Sequence, residues 1–382
     1  MKSVFSGYLP LTQEESNTLL SEAIITFDTS SLFNLYRYEE STANEILQLL
    51  EELKNRLWLT YIAGLEYHSQ RATVLRQQLD IYGKVQKKTE TMKRGIAADF
   101  SDNEHFSIPV EIINDLVDGF ETAIAQVLEE SKRNHPSLLE KDHIRDRLVT
   151  IFEGRTGEPL SNEELELAYI EAKRRFDLKI PPGYRDAKNK EQQFKLYGNQ
   201  AIKSEYSDYL IWKEVLTLAA SKGKPIILVS DDRKDDWCWK EGSVNLGARA
   251  ELVTEMKRFA NVDFLLLTSK SFLEKLSKHI KSPLSKKSMS DIERAAEISW
   301  KEEVQNALAS LGGKGTLAEI YEQIEKTTKR TLSSSWQSTA RRTIYYYCPD
   351  TEIFLGKEDL FEQNGNSIYS LKNSEFVLTN VE

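Results

Sequence analysis

The chain has 382 residues, 40% hydrophobic and 29% charged, which is enough apolar mass for two or three cored domains in a water-exposed protein. No apolar run approaches the roughly 20 residues that a membrane-spanning helix needs. The formal net charge of -9 argues against a protein that coats nucleic acid through overall basicity, but leaves room for local basic patches that bind phosphate.

Met1 to Pro10 has no long apolar run, so no signal peptide is expected. Cys238 and Cys348 lie far apart and form neither a zinc pattern nor a disulfide framework. A reducing, cytoplasmic setting is the expectation. Ala23 to Phe27 (AIITF) is short, apolar and β-branched, as in a strand buried on both faces of a parallel sheet. Helical patterns follow from Ser31 to Tyr36 and from Ser41 to Arg56, then a short strand from Leu57 to Leu59 and a helix from Tyr61. Between about Arg71 and Phe176 the pattern is helical and charged, with amphipathic stretches at Val117 to Glu130 and Asn162 to Arg175. β-type runs resume afterwards, so residues 72–179 read as a helical insertion within one domain spanning residues 1–280.

Ile180-Pro181-Pro182-Gly183-Tyr184 reads as a rigid extended segment and turn. A helix is expected from Asp208 to Ser221, a buried strand from Ile226 to Val229, a helix from Leu246 to Phe259 and a third strand from Val262 to Leu267. Alternating strands and helices imply an α/β fold with a parallel sheet. Residues 281–290 (KSPLSKKSMS) read as a linker. Residues 291–382 then read as a separate small domain: a helix from Ile292 to Leu311, a turn at Gly312-Gly313, helices from Leu317 to Thr327 and Ser335 to Tyr347, and β runs near Glu352 to Leu355 and Ser367 to Leu371. Three helices and a hairpin are the winged-helix order.

In an open α/β sheet, ligands bind beyond the carboxyl ends of the strands. Asp28 and the pair Asp231-Asp232 follow strands there, and Glu66 and Asp208 can reach the same edge from helices. Carboxylates gathered in one place repel and are costly to desolvate, and hard divalent cations relieve that cost. Two such ions about 4 Å apart support phosphodiester cleavage. Taken singly, Asp28 and Asp208 have a plainer reading as helix-start residues, Asp231-Asp232 as a solvated turn, and Glu66 as a surface residue. Their joint placement favours the metal reading.

The segments Asp28-Thr29-Ser30-Ser31-Leu32, Tyr61 to His68 with Arg71, Ile180 to Asp186, Ser207 to Trp212 and Val229 to Trp237, in this order, resemble a bacterial PIN-like nuclease family with a large helical insertion. The resemblance covers about residues 20–280. It implies a Mg²⁺- or Mn²⁺-dependent endonuclease, acting on RNA or single-stranded nucleic acid more than on duplex DNA, in a phage-defence or toxin-like role. It makes Asp28, Glu66 and Asp208 metal-holding acids, with Asp232 or Asp231 as the fourth; the spacing from Ser230 favours Asp232. Ser207 stands where the family usually has Gly. Ser30, Arg71, Arg233, Lys234 and Arg249 are candidate substrate contacts, Trp237 and Trp239 candidate stacking residues, and Asp186 and Asp235 outlying acids. The other readings are a structure-selective DNA nuclease and a non-catalytic binding protein on the same scaffold.

Residues 291–382 resemble, more loosely, winged-helix modules of the HARE-HTH kind. That likeness places Ser335, Gln337, Ser338, Arg341 and Arg342 on a recognition helix, contacting nucleic acid or a protein partner. A homo-oligomer is compatible with the sequence, and no membrane association is expected.

Overall fold

The structure, a computed structural model, describes residues 1, 5–9, 11–101, 110–133, 141–241, 244–277, 283–296, 300–328, 332, 336–355, 359–365 and 367–372. Helix α1 (Gln13–Glu22) opens on a capping box in which Thr12 and Glu15 satisfy each other's backbone donors. It delivers the chain into β1 (Ile24–Phe27). There follow α2 (Thr29–Phe33), α3 (Glu40–Glu52), β2 (Leu57–Trp58) and α4 (Tyr61–Ser101), a 41-residue helix that outruns the body. The insertion continues through α5 (Val110–Arg133), which packs back along α4, then α6 (His143–Phe152) and α7 (Asn162–Asp177).

Next come a short α8 (Ala187–Lys190), a hairpin of β3 (Phe194–Tyr197) and β4 (Gln200–Lys203), α9 (Ser207–Lys222) and β5 (Ile226–Val229). A second hairpin, β6 (Cys238–Glu241) and β7 (Val244–Ala248), precedes α10 (Ala250–Ala260), β8 (Phe264–Leu267) and α11 (Ser269–Leu276). The helix expected from Leu246 therefore starts at Ala250, because Val244–Ala248 pairs as a strand with Cys238–Glu241. Neither hairpin is announced by the hydrophobic pattern. Phe194, Leu196 and Tyr197 are exposed, so no buried face marks the first one.

The main sheet has the order β2-β1-β5-β8 and is parallel throughout. Ile25, Ile226 and Ile227 are fully buried, and each such side chain contributes roughly 2 kcal/mol of apolar burial. The register aligns Phe27 with Val229 and Val229 with Leu267, so three strands end level. That alignment brings Asp28 beside Ser230 and makes the carboxyl edge of the sheet a shelf.

Within the segment expected to be a linker a helix begins: α12 spans Lys286–Ala295. It is capped by Ser285, whose side chain accepts from Ser288, and Ile292 is fully buried in the core of the larger body. Asp291 accepts from the Glu39 amide at 2.8 Å. The apolar residues Leu284, Met289 and Ile292 override the flexible look of the Ser- and Lys-rich stretch. The helix expected from Ile292 to Leu311 is accordingly two, α12 and α13 (Trp300–Ser310).

The C-terminal unit continues with β9 (Lys314–Thr316), α14 (Leu317–Thr327), α15 (Trp336–Tyr346), β10 (Phe361–Asn364) and β11 (Ile368–Leu371). Its three strands form an antiparallel sheet, β10-β11-β9. Val304, Leu308, Ile320, Ile324, Ile344 and Phe361 make a core separate from the larger one. Trp300 and Trp336 stack within it, ring centroids 6.1 Å apart. Gly312 and Gly313 both take positive φ, which lets the chain turn sharply into β9. That turn joins a helix to a strand, not to a helix. The β run expected near Glu352 to Leu355 is a turn, and the strand lies at Phe361–Asn364 instead. Among the described residues no helix is long and apolar enough to cross a membrane.

Candidate active site

Asp28 follows β1 directly and occupies the N-cap position of α2, yet its side chain makes no capping bond. Its Oδ2 accepts from Ser30 at 2.7 Å and from Ser230 at 3.0 Å. Two hydroxyls thus aim the carboxylate along the shelf. Burial pushes the Asp28 carboxyl up from its usual range; Glu66 and Asp232 add to this, and the two serine bonds oppose it.

Glu66 comes from the second turn of α4. Its Oε2 accepts from Thr29 at 3.0 Å, and its Oε1 lies 2.7 Å from the Lys195 ammonium. The N-terminus of α4 is fixed by Glu214, whose carboxylate accepts from the backbone N–H groups of Tyr61 at 2.6 Å and Ile62 at 3.2 Å. Asp208 sits in the first turn of α9, pushed up to about 7 by burial, with Asp232, Asp28 and Glu66 adding to the rise and Lys190 opposing it.

Asp232 and Asp231 part company. Asp231 turns under the shelf, accepting from the Ser269 amide at 3.0 Å, the Ser269 hydroxyl and Asn34. It ties the end of β5 to the start of α11. Asp232 faces the other acids, and Ser230 accepts from its backbone N–H at 3.1 Å.

Asp186 joins them. Asp186, Asp208 and Asp232 each offer a carboxylate oxygen within 4.8 Å of the others'. These are hard oxygen donors, the set that Mg²⁺ and Mn²⁺ favour, so the side chains present fit a divalent cation. Burial pushes Asp186 up, but hydrogen bonds and charge from Lys234 and Lys190 outweigh it and hold the carboxyl low.

Asp186, an outlying acid by sequence, follows the Pro181-Pro182-Gly183 turn and not a strand. Its position is set by distant contacts. The buried guanidinium of Arg175, paired with Glu255 at 2.7 Å, also donates to the Pro181 carbonyl. Asp236, itself buried, accepts from the amides of Gly183 at 3.1 Å and Arg185 at 3.0 Å. Gly183 has φ +97°, and a Cβ there would meet the Cβ of Asp208 at 2.8 Å. The segment can lie against α9 only because that position is glycine.

Among the described residues, three lysines reach into the acids. Lys234 is 2.7 Å from both Asp186 and Asp232, Lys190 is 3.3 Å from Asp186, and Lys195 holds Glu66. Nothing in the local pattern of Lys190 or Lys195 points inward, so neither is expected at the site from sequence.

Of the expected substrate contacts, Ser30 and Lys234 line the site. Arg71 is bound to Asp142, a buried carboxylate that also accepts from Tyr36 and caps α6. Arg233 donates to the Ala296 carbonyl at the end of α12, and Arg249 pairs with Glu251 and reaches the Asp235 carbonyl. Asp235 pairs with Arg185 at 3.1 Å. Trp237 is buried edge-on against Trp212, and Trp239 meets Tyr8 edge-on.

In the C-terminal unit, Gln337, Ser338, Arg341 and Arg342 are exposed on α15, and Ser335 lies outside the described residues. A family described as a PIN like domain matches residues 24–252, well over half of the chain. No curated protein and no solved structure matches.

Proposed function

Because the chain belongs to the PIN-like domain family, whose members are typically divalent-cation nucleases, we propose that it is an endonuclease that hydrolyses phosphodiester bonds in RNA or another single-stranded nucleic acid. The observation that carries this reading is the convergence of Asp186, Asp208 and Asp232 within 4.8 Å, with Asp28 and Glu66 close enough to shift the Asp208 carboxyl.

In this reading Asp186, Asp208 and Asp232 hold the cation, and Asp28 and Glu66 complete the acid wall. Mg²⁺ or Mn²⁺ there would supply Lewis acidity and an activated water. The chain's own groups do the positioning. Ser30 and Ser230 orient Asp28, and Thr29 orients Glu66. Lys234 is the residue best placed to exchange its acid partners for a substrate phosphate.

The C-terminal unit fits a winged-helix module, supported by its order of helix, strand, helix, helix and two strands. Gln337, Ser338, Arg341 and Arg342 then form the contact face of its third helix, with a nucleic acid or a protein partner as target. Both cysteines are buried free thiols, compatible with the reducing cytoplasm in which we place the enzyme.

The test is Mn²⁺- and Mg²⁺-dependent cleavage of end-labelled RNA, single-stranded DNA and duplex DNA by wild type and Asp28→Asn. The reading expects cleavage by wild type, strongest on RNA, abolished by EDTA and by the substitution. Equal activity in both proteins would sink it. A folded wild type that cuts nothing would leave a binding protein on a nuclease scaffold, and a preference for flapped DNA would move the substrate to structured DNA.

A further inference from the structure

The three lysines at the acid edge are not equivalent. Lys234 and Lys190 have side chains 41% and 33% exposed, so each has solvent to turn into when a cation takes its acids. Lys195 is 10% exposed. Its ammonium is held on two sides, by Glu66 Oε1 at 2.7 Å and by Ser207 Oγ at 2.5 Å.

Its backbone is equally fixed. Lys195 pairs in register with Ile202, which is buried, so both side chains point to the inner face of the β3–β4 hairpin while Phe194 and Leu196 point outward. The strand β3 packs on α4, the helix that carries Glu66. An ammonium has three N–H donors; among the described residues Glu66 and Ser207 engage two, which leaves one.

The acid edge thus divides into two parts. One is the trio Asp186, Asp208 and Asp232, whose oxygens converge. The other is Glu66, which already has a built-in cation. We propose that Lys195 is a further catalytic residue that takes the place of a second metal ion: one divalent cation sits in the aspartate trio, and the Lys195 ammonium donates to a non-bridging oxygen of the scissile phosphate. This inference rests on the nuclease reading above.

The step balances without a redox partner. A water oxygen forms the new bond to phosphorus as the bond from phosphorus to the leaving ribose oxygen breaks. The water's proton passes to a carboxylate of the cluster, and the leaving oxygen keeps the bonding pair and takes a proton from solvent. Lys195 remains an ammonium throughout and offsets charge on the phosphoryl oxygens, the kind of preorganised donor whose removal costs about 100- to 1000-fold in rate.

The experiment counts Mn²⁺ bound to the full chain by electron paramagnetic resonance and isothermal titration, alongside kcat on labelled RNA. Wild type should bind one Mn²⁺ per chain. Lys195→Met should lose about 100-fold or more in kcat at low Mn²⁺ with a smaller change in KM, and should gain a second, weaker Mn²⁺ at the freed Glu66. Lys195→Arg, which keeps the charge, should bind one Mn²⁺ and stay within about tenfold of wild-type kcat.

Two tight Mn²⁺ ions in wild type, or a Lys195→Met protein as fast as wild type, would overturn the inference while leaving a nuclease. A wild type that binds no Mn²⁺ and cuts no substrate would remove the nuclease reading and this inference with it. The wild-type count decides even if the methionine variant fails to fold.

Discussion

The acid edge of the sheet and the C-terminal unit are stabilised in opposite ways. At the edge, carboxylates from the end of β1, from α4 and α9, from the turn after β5 and from the segment before α8 are forced together, and burial and mutual repulsion raise Asp28 and Asp208. The arrangement is held from outside by serine and threonine hydroxyls, by Arg175 and Asp236, and by three lysines. The C-terminal unit has an apolar core and a capping box at Thr316 and Glu319, and displays Arg341 and Arg342 on the surface. The edge sets stability against chemistry; the unit sets it against nothing. Neutralising a clustered acid and truncating a core side chain should therefore act on stability with opposite signs.

The largest expected effect is at Asp208. Asp208→Asn should lower kcat on labelled RNA by at least about 1000-fold, some 4 kcal/mol of transition-state stabilisation. The same change should stabilise the metal-free protein. The native carboxyl, near 7 against an ordinary 3.8, binds more protons than the unfolded chain between those values. Its contribution to stability therefore falls as pH rises through that window and does not return above it. Asparagine should add up to about 4 kcal/mol in urea titrations at pH 8 and little near pH 4. Mn²⁺ affinity measured by titration should fall, by up to about tenfold per pH unit, as pH drops below 7, because the cation must displace that proton. A less stable Asp208→Asn protein at pH 8 would break the comparison.

Ile344→Ala should do the reverse. The side chain is fully buried in the smaller core. Its truncation should cost about 3 kcal/mol there, splitting the calorimetric unfolding into two transitions with kcat on short oligonucleotides unchanged. One shifted cooperative transition would mean the two cores are coupled.

Gly183→Ala is next, at about 2 kcal/mol. A Cβ at that positive φ would meet Asp208 and Phe176. The metal site should loosen as well, seen as weaker Mn²⁺ binding at unchanged stoichiometry. Retained Mn²⁺ affinity would show that Asp186 is dispensable to the trio.

The smallest effect is expected from Arg341→Ala combined with Arg342→Ala. If α15 contacts phosphates, nucleic-acid affinity of the full chain should fall about tenfold and the salt slope by up to about 2, with stability and kcat on short substrates unchanged. An unaltered slope would assign that face to a protein partner.

How much could be read from the sequence follows from where the determining forces act. The strands at 24–27, 226–229 and 264–267 declare themselves as apolar β-branched or leucine runs, because a strand buried on both faces has no other composition open to it. Long helices declare themselves by period, and Asp28, Asp208 and Asp232 by their place at the ends of such elements. The two hairpins, β3–β4 and β6–β7, have little buried face and leave little trace. The start of α12 is masked by a Ser- and Lys-rich stretch whose few apolar residues find a partner surface only in the folded chain.

The sequence alone determined the parallel α/β body, its long helical insertion and the place of Asp28, Asp208 and Asp232 at the ends of strands and helices, since each follows from local composition or from where an element stops. Tertiary structure decided which acids face one another. It turned Asp231 under the shelf toward Ser269, brought Asp186 in from a turn and placed Lys190 and Lys195 beside the carboxylates. These choices rest on contacts between residues far apart in the chain, such as Arg175 with Pro181 and Asp236 with Gly183, and no local pattern encodes a distance that only folding closes.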